Sequence, residues 1–245
     1  MAKILILGAT SAIAEQFSRL YALAEHEILL VARNASALEE ISRDLEVRGV
    51  GKVNILSHDF TEIGKAGELV EKSYQILGEI NIALIAFGTL PDQIKCSQDS
   101  AVMHMEILLN FNAIVVLLNE LAMKFEQQKM GSIVVIGSVA GDRGRQSNYI
   151  YGSAKGGLSI FMQGLRNRLA SDGVQVLTVK PGFVDTPMTK LFDKGLLWVG
   201  PDKIARDISR AIEKKKDVLF TPWFWWGIML IIRLIPEKIF KKLKL

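Results

Sequence analysis

Short apolar runs alternate with longer segments of helical periodicity almost from the first residue. The runs, rich in Ile, Leu and Val with little polar alternation, lie at Lys3–Leu7, Glu27–Ala32, Lys52–Ser57, Ile80–Ala86, Ser132–Gly137, Val174–Lys180 and Asp217–Phe220. A strand apolar on both faces belongs in a sheet that is covered on both faces. Between the runs, Ala12–Ala24, Ala35–Arg48, Ile63–Leu77, Ala101–Gln128, Tyr151–Ser171 and Pro201–Lys214 carry a helical pattern. The alternation predicts an α/β fold, a single doubly wound parallel sheet of about seven strands flanked by helices. No Pro- or Ser-rich linker divides it, so residues 1–220 read as one domain followed by an apolar and basic extension, 221–245.

Composition changes this picture little. Half of the 245 residues are hydrophobic and no repeat or low-complexity tract occurs, which suits a chain with a substantial core. The single cysteine, Cys96, excludes an intramolecular disulfide and suits a reducing compartment. The apolar run of four residues before Gly8 is too short for a signal-peptide core, so a cytoplasmic location is expected. The net charge of +4 is unevenly placed: Lys214–Leu245 carries +6, leaving the body at −2. A nucleic-acid role would want basic residues on a face of the folded domain, and a body of that charge supplies no obvious one. His26, His58 and His104 show no paired spacing, and no metal site is expected.

The first turn, "LGATSAIAEQ", joins strand to helix where a doubly wound sheet holds a nucleotide pyrophosphate. Of a spaced-glycine loop only Gly8 remains, with Ala12 and Ala14 at the other two positions. Alanine still permits close backbone approach, and Thr10, Ser11, Ala12 and Ile13 bring hydroxyl and backbone donors, although a plain strand–helix turn has the same look. The second strand ends in "LLVARN". Arg33 stands where a carboxylate would bind the ribose 2′-hydroxyl of NAD, and an arginine there can pair with a 2′-phosphate. NADP(H) is therefore favoured over NAD(H), against the alternative of a solvated arginine at a strand end.

The densest chemistry lies in "VVIGSVAGDRGRQSNYIYGSAKGG". Tyr151 and Lys155 are four residues apart on a predicted helix and share a face. An ammonium beside a phenol, whose free pKa is ~10, is expected to lower it towards neutrality. Ser138 follows an apolar strand thirteen residues upstream of the tyrosine; Tyr149 has serine, not lysine, four residues on.

With these residues the chain resembles the short-chain dehydrogenase/reductase family. "GSIVVIGSVAG", "YGSAK" and "VKPGFVDTPM" fall in that family's order and spacing, from the first strand to about residue 220, and the resemblance implies a Rossmann-like fold. It implies further that Ser138 orients a substrate carbonyl, Tyr151 exchanges a proton and Lys155 also holds the nicotinamide ribose. Asn110, in "ILLNFNAI", would complete the proton relay, with Asn112 a packing or surface residue. Pro181, Gly182, Val184 and Thr186 would flank the nicotinamide carboxamide. Asp59, with Phe60 beside it, would meet the adenine, and Ala86 and Gly88 would line the cofactor after the fourth strand. Where the family has Asn-Asn-Ala-Gly this chain has "IAFG", Ile85–Gly88. Family members assemble as homodimers or homotetramers through helices matching Ala101–Gln128 and Tyr151–Ser171.

The extension, "LFTPWFWWGIMLIIRLIPEKIFKKLKL", holds three of the four tryptophans and ends in lysines. Its uncharged stretch Trp223–Ile232 is shorter than the ~17–25 residues that span a bilayer. Pro236 suits a helix first turn, after which Ile239, Phe240 and Leu243 recur at helical spacing among lysines. Aromatic then basic amphipathic character predicts a segment lying in a membrane interface, peripheral at the inner face of the cytoplasmic membrane. A lid over the substrate cleft and an oligomer seam are the competing readings. "NIALIAFGTL", "DRGRQSNYIYGSAKGGL", "VLFTPWFWW" and "IIRLIPEKIFKKLKL" are similar to one branch, the reductases of decaprenylphosphoryl-2-keto-ribose, which complete a C2 epimerisation begun by a flavin-dependent oxidase. That resemblance implies a polyprenyl-phosphate-linked keto-sugar as substrate, with Arg143 and Arg145 either meeting its phosphate or standing as solvated loop charges. Two other functions remain open: a reductase of lipid or steroid-like ketones, and a non-catalytic NADP(H)-binding sensor at the membrane.

Overall fold

A computed structural model describes residues 1–22 and 24–243. Seven parallel strands form one sheet in the order β3-β2-β1-β4-β5-β6-β7. They are β1 (Lys3–Leu7), β2 (Glu27–Ala32), β3 (Lys52–Ser57), β4 (Ile82–Ile85), β5 (Ser132–Ile136), β6 (Gln175–Pro181) and β7 (Val218–Thr221). The order runs one way from β1 to β3 and the other way from β4 to β7, so the switch point falls between β1 and β4, where Leu7 pairs with Ile85. A doubly wound sheet opens its ligand crevice there, beyond the carboxyl ends of the strands.

The even hydrophobicity of the strands has the expected cause: each face is covered. On one face Ile4, Ile6, Ile28 and Leu30 pack against helices α1 (Ala12–Tyr21), α2 (Ala35–Val47) and α8 (Pro201–Glu213), through Phe17, Leu38, Ile204 and Ile208. On the other, Leu5, Leu7, Leu29 and Val135 meet α3 (Ala66–Leu77), α6 (Ala113–Gln128) and α7 (Tyr149–Leu169), through Leu69, Leu118, Phe125 and Leu158. Full burial of a side chain of this size stabilises the fold by about 1.5–3 kcal/mol.

Several boundaries differ from the sequence expectation. β4 begins at Ile82, because the Ile80 amide donates to Gln128 Oε1 at 3.1 Å and not to the ladder. The segment Ala12–Ala24 is helical only to Tyr21, and Leu23 lies outside the described residues. A short helix that the periodicity did not announce, α4 (Gln93–Gln98), is started by the Asp92 carboxylate, which accepts from the Ile94 and Lys95 amides. The expected helix Ala101–Gln128 is interrupted: α5 (Ser100–Ile107) passes through a π turn, Leu108–Asn112, into α6. This composite helix, Ser100–Gln128, is long and apolar enough to cross a bilayer, but Ile114, Leu117, Leu118, Leu121 and Phe125 bury one side of it against the sheet. After β7 the chain forms α9 (Phe224–Leu234) and α10 (Glu237–Phe240).

Candidate active site

The proton-handling groups meet where β5 ends. Ser138 leaves the strand in extended conformation, and its Oγ accepts from the Ala140 amide at 3.1 Å, starting a 3-10 turn over Val139–Gly141. That turn lies tightly on α7: a Cβ at Gly141 would sit 2.6 Å from the Lys155 carbonyl carbon. The approach brings Ser138 into hydrogen-bonding contact with Tyr151 on the first turn of α7. Lys155, one turn further on, is 3% exposed; its Nζ lies 5.7 Å from the Tyr151 ring centroid and donates to the Ile136 carbonyl at 3.3 Å.

The expected lowering of the phenol does not occur. Burial pushes Tyr151 up to about 12, and the Ser138 hydrogen bond offsets only part of that. Burial also pulls Lys155 down to about 8. Removing both groups from water outweighs their mutual effect, because desolvation penalises the charged form of each. At pH 7 the phenol therefore keeps its proton and the ammonium keeps most of its charge, the states needed to give a proton to a carbonyl oxygen.

Asn110 is fully buried in the π turn, a helical irregularity found frequently at functional sites. Its Oδ1 accepts from the Thr89 amide at 3.2 Å, and its Nδ2 donates to Thr89 Oγ1 and to the Glu106 carbonyl, each at 3.0 Å. Gly88 lies between this amide and the lysine: a Cβ there would stand 2.8 Å from Asn110 Oδ1 and 3.5 Å from Lys155 Nζ, and its φ of +153° is one side chains rarely adopt. Asn112 is partly buried at the junction with α6 and takes no part in this cluster. Sequence reasoning missed Thr89 and Glu106; the four-residue interval from Glu106 to Asn110 was the available signal.

The remaining positions line the crevice. Gly8, at φ +86°, brings the β1–α1 turn so close to the following β4 loop that a Cβ would lie 2.5 Å from the Phe87 amide nitrogen. Thr10 is exposed and Ser11, the N-cap of α1, makes no side-chain capping bond, so that hydroxyl and the first amides, from Ala12 and Ile13, are available to phosphate. Arg33 is exposed at the end of β2 and, among the described residues, forms no ion pair. Asp59 accepts from the Thr61 amide and hydroxyl, both at 2.9 Å, which holds its carboxyl below the usual range. Phe60 does not offer a ring to adenine: it is buried and stacked on Phe87, centroids 4.0 Å apart. Ala86 is buried at the end of β4. Pro181 ends β6, Val184 is buried and bridged to Val199, and the Thr186 amide donates to Thr189 Oγ1 at 3.1 Å. The turn cradle and the uncommitted α1 amides fit the pyrophosphate of a dinucleotide, with Arg33 exposed at the end of the neighbouring strand.

The extension packs directly onto this machinery. Trp225 and Met229 are buried against Val139, the neighbour of Ser138. Trp225 lies so close over Gly182 that a Cβ there would be 1.9 Å from its indole, and it meets Phe183 edge-on at 5.0 Å. Arg143 neither faces the substrate nor stands in solvent. Its Nη1 donates to the carbonyls of Ile232, Arg233 and Ile235 at 3.0, 2.9 and 2.6 Å, and its Nη2 to Glu237 at 2.9 Å. The guanidinium also stacks on Phe240 at 3.8 Å from the ring centroid. It thus caps the orphan carbonyls at the end of α9. Arg145 is partly buried beside a cavity of about 200 Å³ lined also by Gln146, Phe240 and Lys241. Beneath the loop, Lys180 pairs with buried Asp142 at 2.5 Å, another contact that spacing did not reveal.

Known proteins identify the family. The profile of the family described as short chain dehydrogenase matches residues 2–196. An uncharacterized oxidoreductase of Mycobacterium tuberculosis is 34% identical over 242 residues, covering 99% of this chain and 97% of its own. Another from Streptomyces coelicolor is 29% identical over 241 residues, covering 98% and 95%. Among solved structures, a short-chain dehydrogenase from Sphingobium yanoikuyae in complex with NADPH superposes with a TM-score of 0.82 at 24% identity, over 95% of this chain and 94% of that one. An actinorhodin polyketide ketoreductase with NADPH gives 0.81 at 18% identity, over 91% and 97%. At those identities the two structures speak for the fold. With the profile match over most of its length, the Ser138–Tyr151–Lys155 cluster and the doubly wound sheet, the chain belongs to the short-chain dehydrogenase family of oxidoreductases.

Proposed function

We propose that the protein is an NADP(H)-dependent reductase of a membrane-borne ketone, with a polyprenyl-phosphate-linked keto-sugar as the substrate class. When bound, the nicotinamide supplies hydride to the carbonyl carbon. Tyr151 delivers its phenolic proton to the carbonyl oxygen, Ser138 donates a hydrogen bond to the same oxygen, and the Lys155 ammonium stabilises the phenolate left behind. NADP(H) rests on Arg33 and on the NADPH bound by the structural relatives. Seated in this way, the carbonyl lies between Ser138 and Tyr151, beside Phe183 and Trp225.

The observation that carries the substrate reading is the two-sidedness of α9. Trp225 and Met229 face the catalytic loop, while Trp223, Trp226, Leu230, Ile231 and Leu234 are exposed along the opposite side. Leu191, Phe192 and Leu196, on the loop after Thr186, are exposed as well, and Lys238, Lys241 and Lys242 follow at the end of the chain. An apolar surface with aromatic rings and neighbouring lysines suits an anionic lipid interface. It would set the catalytic crevice beside the bilayer that holds a polyprenyl chain. In the same reading a flavin-dependent oxidase supplies the ketone, and α5–α6 together with α7 join copies of the chain into a homodimer or homotetramer.

NADPH oxidation by the full-length protein, with a polyprenylphosphoryl 2-keto-pentose in vesicles, tests the reading. Turnover that Tyr151→Phe abolishes supports it. Turnover only with lipid or steroid-like ketones moves the substrate to that class, and tight NADPH binding with no turnover on any ketone makes the protein a cofactor sensor.

A further inference from the structure

We infer that Glu106 is a positioning residue for the active site: with Thr89, its carboxylate fixes the orientation of the Asn110 amide and the π turn beside Lys155. The inference rests on the reduction chemistry assigned to Tyr151 and Lys155 but not on the identity of the ketone.

The arrangement is asymmetric. Every donor bond of the amide leads to one side: Nδ2 to the Glu106 carbonyl at 3.0 Å, to Glu106 Oε2 at 3.2 Å and to Thr89 Oγ1 at 3.0 Å. The Thr89 hydroxyl spends its own proton on Glu106 Oε2, so its oxygen is left to accept from Asn110. On the other side Oδ1 receives the Thr89 amide at 3.2 Å. Turning the amide over would set Oδ1 against a carboxylate and a hydroxyl oxygen, and Nδ2 against an N–H. Both contacts would be repulsive, and Asn110 has no access to water with which to relieve them. The carboxylate therefore decides which end of the amide faces Gly88 and Lys155, whose Nζ stands 3.5 Å from the Cβ position that Gly88 leaves open. An amide oxygen on that side is compatible with an ammonium; an amide NH₂ is not.

The same contacts hold the backbone irregularity. Glu106 ends its role in α5 one turn before Asn110, and the side-chain bond from Asn110 to the Glu106 carbonyl spans the entry to the π turn. After "IAFG", the polar anchoring of this turn is made by Thr89, immediately following Gly88, and by Glu106 across from it.

The test uses the full chain, NADPH and any ketone that the wild type reduces. Glu106→Leu is expected to lower kcat about tenfold, the scale of a lost charge-assisted hydrogen bond, with KM for the ketone and Kd for NADPH within about twofold. Glu106→Gln, whose amide oxygen can accept from both Thr89 and Asn110, is expected to restore kcat to within about threefold of wild type. Thr89→Val is expected to fall with Glu106→Leu. A Leu variant with undiminished kcat overturns the inference, as does a Gln variant that falls equally far, or a loss of kcat accompanied by equal losses of NADPH affinity and Tm. A readout without turnover keeps this separate from the functional reading: by NMR, the Asn110 side-chain amide protons are expected to exchange slowly in wild type and Glu106→Gln and at least about tenfold faster in Glu106→Leu. Equal protection in the Leu variant overturns the inference even if no ketone is ever reduced.

Discussion

Replacing Lys155 by methionine should make the protein more stable while abolishing reduction. The side chain is 3% exposed, forms no ion pair among the described residues, and has one hydrogen bond, at 3.3 Å to the Ile136 carbonyl. Burial lowers its pKa from 10.5 to about 8. At 1.36 kcal/mol per unit, the folded state bears a cost of about 3 kcal/mol for carrying this cation. The sign follows from proton binding. Between pH 8 and 10.5 the unfolded chain binds the proton and the folded chain does not, so stability rises with pH through that window. The cost is fully present below about pH 8 and fades as the pH approaches 10.5. Methionine has nearly the same length and no charge, and its introduction sacrifices a long hydrogen bond worth about 1 kcal/mol. The net gain at pH 7 is about 2 kcal/mol, or a Tm higher by roughly 4–8 °C for a domain of this size. Thermal melts of the cofactor-free chain at pH 7 and pH 10 would show a clear gap at the first pH and almost none at the second, and NADPH oxidation would be lost at both. A methionine variant that melts at or below wild type at pH 7, or a gap equally wide at pH 10, would refute the reasoning.

Three further outcomes are expected. Gly182→Ala places a methyl 1.9 Å from the Trp225 indole, so α9 must shift; a loss of about 1–3 kcal/mol in urea unfolding, with red-shifted tryptophan emission, is the expected result. Arg143→Ala leaves three carbonyls at the end of α9 without their donor and removes the stacking on Phe240, and limited proteolysis between residues 232 and 240 should become faster by about tenfold. Trp226→Ser with Ile231→Ser alters only exposed positions of α9, so the melt should stay within about 0.5 kcal/mol of wild type while sedimentation with anionic vesicles falls severalfold.

The fold was legible because one rule acted on the central strands β1, β2, β4 and β5: a sheet covered on both faces must be apolar on both faces. β1 and β2 end at Leu7 and Ala32 as that pattern put them, while β4 and β5 stop one residue earlier than it put them, at Ile85 and Ile136. Tyr151 and Lys155 were legible because a helix converts an interval of four into adjacency. The titration of the pair was not, since burial belongs to the tertiary structure and here it outweighs the pairwise attraction. The π turn was hidden because the apolar pattern of Ala101–Gln128 continues across it, while the Thr89 groups that bond Asn110 within it lie 21 residues upstream. The extension showed the limit most clearly. Trp225 and Trp226 are chemically identical neighbours, yet one fills the space over Gly182 and the other is 60% exposed. Only the position of Gly182, on a distant strand end, separates them. Arg143 was open to two readings, a substrate contact or a solvated charge, and is neither, because its partners lie about ninety residues away along the chain.

The carbonyls and carboxylate that Arg143 grips all lie between Ile232 and Glu237, outside the sheet, whose last strand ends at Thr221. The loop between Ser138 and Tyr151 is therefore tied at a point that the sheet does not control. A chain cut after Thr221 keeps all seven strands, Ser138, Tyr151 and Lys155, but loses Trp225 and Met229 from over Val139 and every partner that Arg143 holds. Such a body has its catalytic side chains beside an untied loop, so the scaffold and the closure of the crevice are separable parts of one chain.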